Sequence, residues 1–192
     1  MSGNDYEVIV IGASTGGPKA IEKLLKELPE DLGVAVLIVQ HMPKGFTKSF
    51  ADRLNRYCII EVLEACDGMK IEKNKVYIAP GGYHMEVGLG RKIKLSDGPS
   101  LWGVKPAVDK LFISVSKVFK EKVISIILTG MGKDGAEGIS TIKSVGGTTI
   151  SQDEESCTIY GMPKAAYETG LVDYVVKLDE IALKVSSLLN KL

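Results

Sequence analysis

Short β-branched runs alternate with segments of helical spacing over most of the chain. Glu7 to Ile11 (EVIVI) reads as a buried strand that ends at Gly12. Pro18 to Leu28 carries Ile21, Leu24, Leu25 and Leu28 at helical intervals, with Pro18 suited to a first turn. Val34 to Gln40 (VAVLIVQ) predicts a second buried strand, and Thr47 to Arg56 a helix with Thr47 as its N-cap. The middle changes character. Val76 to Ala79, Met85 to Val87 and Lys92 to Leu95 are strand-like pieces separated by Pro80-Gly81-Gly82 and Gly88 to Gly90, which suggests an antiparallel hairpin. Ala107 to Val118 reads as a helix. Val123 to Leu128 (VISIIL) is a buried strand, followed by a glycine-rich turn and a helix from Asp134 to Ser144. Thr148 to Ser151 and Tyr174 to Val176 predict strands, while Pro163 to Glu168 and Leu178 to Leu189 predict helices. This alternation implies an α/β fold: a mainly parallel, doubly wound, Rossmann-like sheet with helices on both faces and one antiparallel hairpin.

No internal repeat, low-complexity tract or interdomain linker interrupts the pattern, so residues 1–192 read as one domain. The 24 basic and 24 acidic residues cancel, which gives no support for nucleic-acid binding or a membrane surface. Met1 to Glu7 is short and polar and lacks a secretory pattern, and no apolar run reaches membrane length. The three cysteines Cys58, Cys66 and Cys157 are odd in number and lack metal-site spacing, which fits a cytoplasmic setting.

In sheets of this kind, sites form beyond the carboxyl ends of the strands. Gly12-Ala13-Ser14-Thr15-Gly16 matches G-x-S-x-G between a predicted strand and helix, the context of a nucleophile elbow. The helix that follows offers free N–H groups to a developing oxyanion. The same residues also suit a quiet strand-to-helix turn. A phosphate cradle is a poorer fit, because the Walker lysine and G-x-G-x-x-G spacing are absent. His41 directly follows the second strand, at the edge where Ser14 sits, and can serve as its base. His84, in the hairpin region, reads as structural or rim-forming. Thr129 to Gly135 follows a third strand, and its Asp134 can hold the imidazole in one tautomer. Asp134 is also placed to N-cap the helix it opens. Asp109 lies within a helix and is less apt for the imidazole, and Asp153 is a second choice. The order Ser, His, Asp differs from that of the usual α/β-hydrolases. A binding module without activity is the rival class, but it predicts loss of one of these three residues, and none is missing.

With these residues assembled, the chain resembles the catalytic domain of the chemotaxis protein-glutamate methylesterases, the CheB family. The similar stretches are Ile11 to Pro18, Gln40 to Pro43, Ile78 to Gly81, Leu128 to Ala136, Gln152 to Glu154 and Tyr160 to Ala166. The resemblance implies hydrolysis of glutamate γ-methyl esters on the cytoplasmic helices of chemoreceptors, with methanol released, and deamidation of some receptor glutamines. It implies Ser14 as nucleophile, His41 as base and Asp134 as orienting acid, with Thr15 and the backbone N–H of Met131 at the oxyanion. It implies no metal or organic cofactor. Family members usually carry an N-terminal receiver domain, which is absent from residues 1–192. The chain is therefore read as either an excised domain or a stand-alone protein. It also has Lys105-Pro106-Ala107-Val108-Asp109 where members often show Arg-Pro-Ser-Val-Asp, a change expected to alter contacts at the substrate rim.

Overall fold

The computed structural model describes residues 5–191, so residues 1–4 of the short polar N-terminal stretch, and residue 192, lie outside it. Among the described residues, seven strands form one sheet: β1 (Val8–Ala13), β2 (Ala35–Gln40), β3 (Glu61–Glu64), β4 (Lys75–Ile78), β7 (Val123–Ile127), β8 (Thr148–Gln152) and β9 (Tyr174–Val176). Their spatial order is β3-β4-β2-β1-β7-β8-β9, and every neighbouring pair is parallel. A separate antiparallel hairpin joins β5 (His84–Gly88) to β6 (Lys92–Ser96). The helices are α1 (Gly17–Glu27), α2 (Phe46–Tyr57), α3 (Val108–Phe119), α4 (Ala136–Ser144), α5 (Met162–Glu168) and α6 (Leu178–Leu188).

Two apolar clusters explain the layers. Successive side chains of a strand point to opposite faces. Ile9, Ile11 and Ala13 of β1 pack with Leu24 and Leu25 of α1, Phe50 and Leu54 of α2, and Ile181 and Val185 of α6. Val8 and Val10 point the other way, toward Leu111 and Phe112 of α3, Ile139 of α4, Ala166 of α5 and Met85 of the hairpin. Because both faces are covered, β1, β2 and β7 are buried along their whole length and read as mostly apolar runs, interrupted by Ser125 in β7 and ended by Gln40 in β2. Among the described residues, no helix is long and apolar enough to cross a membrane.

Three expectations change. Val76 to Ala79 does not join the hairpin: β4 pairs in parallel with β2 and β3 in the main sheet. β3 itself was not expected. It is an edge strand of sequence EVLE, with an exposed glutamate at its start in place of an apolar run. Thr47 is not an N-cap, since Gly45 holds that position at the start of α2. The Thr47 hydroxyl instead donates to Glu64 Oε1 at 2.6 Å and accepts from the N–H of Gly81 at 2.9 Å.

Candidate active site

Ser14 follows the last residue of β1, and His41 follows the last residue of β2. The register pairs Ala13 with Gln40, and the N–H of His41 donates to the Ala13 carbonyl at 3.0 Å. Ser14 and His41 are thus the next residues of two neighbouring strands, whose backbones run about 4.8 Å apart. The chain then turns sharply into α1. The Gly17 N–H closes the turn on the Ser14 carbonyl at 2.8 Å, and Gly16 takes a left-handed φ of 82°.

Asp134 lies on the loop between β7 and α4, and its carboxylate meets His41. Its Oδ2 is 2.7 Å from His41 Nε2. With a carboxylate as partner, Nε2 carries the proton and Nδ1 is left as the ring's acceptor. Asp134 is buried, and it also accepts the N–H of Val108 at 2.6 Å and of Asp109 at 2.9 Å. It therefore does not cap its own helix. Gly135 is the N-cap residue of α4, and Asp134 instead caps α3. Burial and these three donors hold the acid in one place.

The Ser14 hydroxyl makes no hydrogen bond among the described residues, so Ser14 is adjacent to His41 without being bonded to it. Such bonds are commonly long before substrate binds and tighten in the reacting complex. Beside Ser14 runs the Gly130 backbone. A Cβ added there would stand 2.7 Å from Ser14 Cβ, which only glycine avoids. The next residue is Met131. The backbone N–H groups of Thr15 and Met131 donate to no protein acceptor among the described residues, and both residues are exposed. A groove of about 510 Å³ flanks the site, lined by Pro18, Met42, Phe46, Phe50, Arg53 and Tyr57 among others.

The alternative acids are placed elsewhere. Asp153 caps a local turn, accepting the N–H of Ser156 at 3.1 Å and the Ser156 hydroxyl. Asp109 is buried in the first turn of α3 and reaches toward α4. Burial pushes its carboxyl above the usual carboxylate range, and the nearby Asp134 charge adds to that, against the N–H bonds it accepts. His84 is buried and holds the chain entering α3: its Nε2 donates to the Pro99 carbonyl at 2.9 Å, and its Nδ1 accepts the Ala107 N–H at 3.2 Å.

Two buried glutamines were not singled out from the sequence. The Gln40 amide nitrogen donates to the Ser14 carbonyl at 2.9 Å and the His41 carbonyl at 3.1 Å, tying the two strand ends together. Gln152 accepts the Thr129 N–H at 2.8 Å and donates to the Ser156 carbonyl at 2.8 Å, which steadies the third strand end. Gln40 is marked as the one polar member of an otherwise apolar strand, whereas Gln152 ends a strand already rich in threonine and serine and no such contrast marks it.

The description "CheB methylesterase" matches residues 9–185. The chain belongs to the CheB methylesterase family. A relative in Clostridium acetobutylicum, named protein-glutamate methylesterase/protein-glutamine glutaminase, is 59% identical over 182 residues, which is 95% of this chain and 53% of the relative. A relative of the same name in Pyrococcus horikoshii is 51% identical over 90% of this chain and 48% of its own length. The chain thus spans about half the length of the curated relatives it matches. The crystal structure of the Thermotoga maritima CheB methylesterase catalytic domain superposes with a TM-score of 0.92 at 40% identity, covering 95% of this chain and 98% of that one. Ala107, where the resemblance leads one to expect serine, is the N-cap residue of α3 and is fully buried. The missing hydroxyl therefore lies inside the fold and not on the expected substrate rim. Lys105 is the surface member, paired with Asp97 at 2.7 Å.

Proposed function

We propose that this chain is the catalytic unit of a protein-glutamate methylesterase, with Ser14 as nucleophile. The observation that carries this reading is the His41–Asp134 pair, set one strand away from a serine beside two unpaired N–H groups. His41 Nδ1 removes the Ser14 proton as Ser14 Oγ attacks the γ-carbonyl of a methylated glutamate. Asp134 holds the imidazole by Nε2 and stabilises its cation. The N–H groups of Thr15 and Met131 receive the oxyanion. Methanol leaves with the proton from His41, and water then hydrolyses the acyl-serine by the same route. A glutamine side chain fits the same sequence with ammonia as leaving group, in line with the two-part name of the relatives.

The substrate is a cytoplasmic helix of a chemoreceptor, and the work is adaptation in chemotaxis. The half-buried Ser14 and exposed Met131 suit a side chain presented on a protein surface. Residues 1–192 act as a single catalytic domain, and where a receiver domain accompanies it, that domain is a further partner.

Ser14→Ala should abolish methanol release from methylated receptor, to about one part in 10⁶ of the parent kcat, while the unfolding temperature stays within a few degrees. A folded variant that still releases methanol at the parent rate would refute the mechanism.

A further inference from the structure

Asp109 has no place in the reaction just described, yet it is completely buried and fully bonded. Its Oδ1 accepts the backbone N–H of Gly135 at 3.0 Å and of Gly138 at 2.7 Å. Its Oδ2 accepts the indole N–H of Trp102 at 2.8 Å. Its own N–H donates to Asp134 Oδ1 at 2.9 Å. The two acids therefore cap each other's helices. Asp134, just before α4, closes the N-terminus of α3, and Asp109, in α3, closes the N-terminus of α4. Neither helix has a side-chain cap from its own N-cap residue. Each carboxylate sits where a helix dipole favours negative charge.

We propose that Asp109 is a positioning residue for the Ser14 reaction, holding the loop from Thr129 to Gly135 so that Asp134 stays against His41. The inference rests on the hydrolase reading above. Gly135 takes a left-handed φ of 101°, and Gly132 one of 92°, so the loop has glycine freedom on both sides of Asp134. The peptide N–H of Gly135 follows Asp134 directly. Anchoring it to Asp109 fixes the backbone after Asp134, while Val108 and Asp109 fix the carboxylate itself. Asp134 is thereby clamped at both ends by the first turn of α3. A side-chain cap from position 135 is closed off, since Gly135 is left-handed and a Cβ there would stand 2.5 Å from Ile127 Cδ1. Reaching across from α3 adds what such a cap lacks, a fixed distance between α4 and the helix that holds Asp134.

Only a carboxylate satisfies this place. Three donors converge on its two oxygens, so an asparagine must turn its NH₂ toward either the two backbone N–H groups or the indole N–H. The loop must then shift by some tenths of an ångström, and Asp134 with it. Trp102 reports on the same contact. It is the only tryptophan, its ring carries Lys133 Nζ at 4.1 Å from the ring centroid, and Lys133 adjoins Asp134.

The test compares Asp109→Asn and Trp102→Phe with the parent chain. It reads methanol release from methylated receptor and the downfield proton resonance of His41 Nε2–H. Folding is followed by circular dichroism and thermal unfolding. Folded Asp109→Asn should lose about a hundredfold in kcat with little change in KM, as expected for misplaced catalytic groups, and its His41 resonance should shift or broaden. Trp102→Phe, which removes one donor of three, should move that resonance in the same direction by less. A folded Asp109→Asn with the parent kcat and an unmoved His41 resonance makes Asp109 a helix cap only. If Asp109→Asn does not fold, an unmoved resonance in Trp102→Phe overturns the proposal. A parent chain that releases no methanol refutes the proposed function instead, and leaves the resonance readable as the test of Asp109.

Discussion

Asp134 shows how much one side chain can be asked to do. It accepts a ring N–H and two backbone N–H groups, so its charge is shared between His41 and the start of α3. Asp134→Asn keeps the shape but presents an NH₂ to at least one of these donors. If asparagine offers its carbonyl to the Asp109 N–H, the NH₂ faces both His41 and the Val108 N–H and forces Nε2 to become the acceptor. Nδ1 then carries the proton and cannot take one from Ser14. The expected loss in kcat is about 10⁴-fold, as for other triads given the wrong tautomer. The same variant should cost about 1 kcal/mol of stability through the weakened cap. Methanol release and thermal unfolding on one preparation separate the two effects, and a loss under tenfold would count against the assigned tautomer.

At the scale of elements, the approach of α3 and α4 depends on Gly138. A Cβ there would stand 2.5 Å from Phe112 Cβ, an atom fixed to the α3 backbone. Gly138→Ala should push the helices apart, cost about 1–3 kcal/mol as overpacking does, and lengthen the bond from the Gly138 N–H to Asp109. Thermal unfolding reads the cost, and an unchanged transition would mean the two helices part without strain. The strands that precede Ser14, His41 and the Asp134 loop were legible in the sequence because burial on both faces makes them predominantly apolar and β-branched. β3 was not, because it is a half-exposed edge strand with glutamate at both ends. The fate of β4 was not, because strand pairing lies in contacts with distant residues such as Val36 and Ile38, which local pattern does not carry. The same reason hid Asp109. The pattern placed it on a helix, but its partners lie 26 and 29 residues further along the chain.

For the whole molecule, acid stability follows from carboxylates working in opposite senses. Asp173 anchors the start of β9 by accepting the Thr149 N–H at 3.0 Å and pairing with Lys143. Burial works to raise its carboxyl, but Lys143 and the Thr149 donors outweigh it, and the net direction is down from 3.8. A lowered folded value gives stability that is present above the ordinary value and is lost as pH falls through the folded one. Asp173→Asn should therefore lower the unfolding temperature at pH 7, with the gap closing below about pH 4. A gap that stays constant down to pH 2 would contradict this. Asp109 has the opposite sign: its carboxyl is raised, so it withdraws stability as pH climbs from 3.8 toward its folded value.

The crossed caps also divide the chain in an unusual way. A cut at the 3-10 turn Lys120–Lys122 would leave Ser14, His41 and Asp109 on one fragment and Asp134 on the other. Each piece would carry a helix whose closing carboxylate belongs to its counterpart. Rejoining the two halves would have to restore both helix ends and the reaction geometry together, because the same two carboxylates close both.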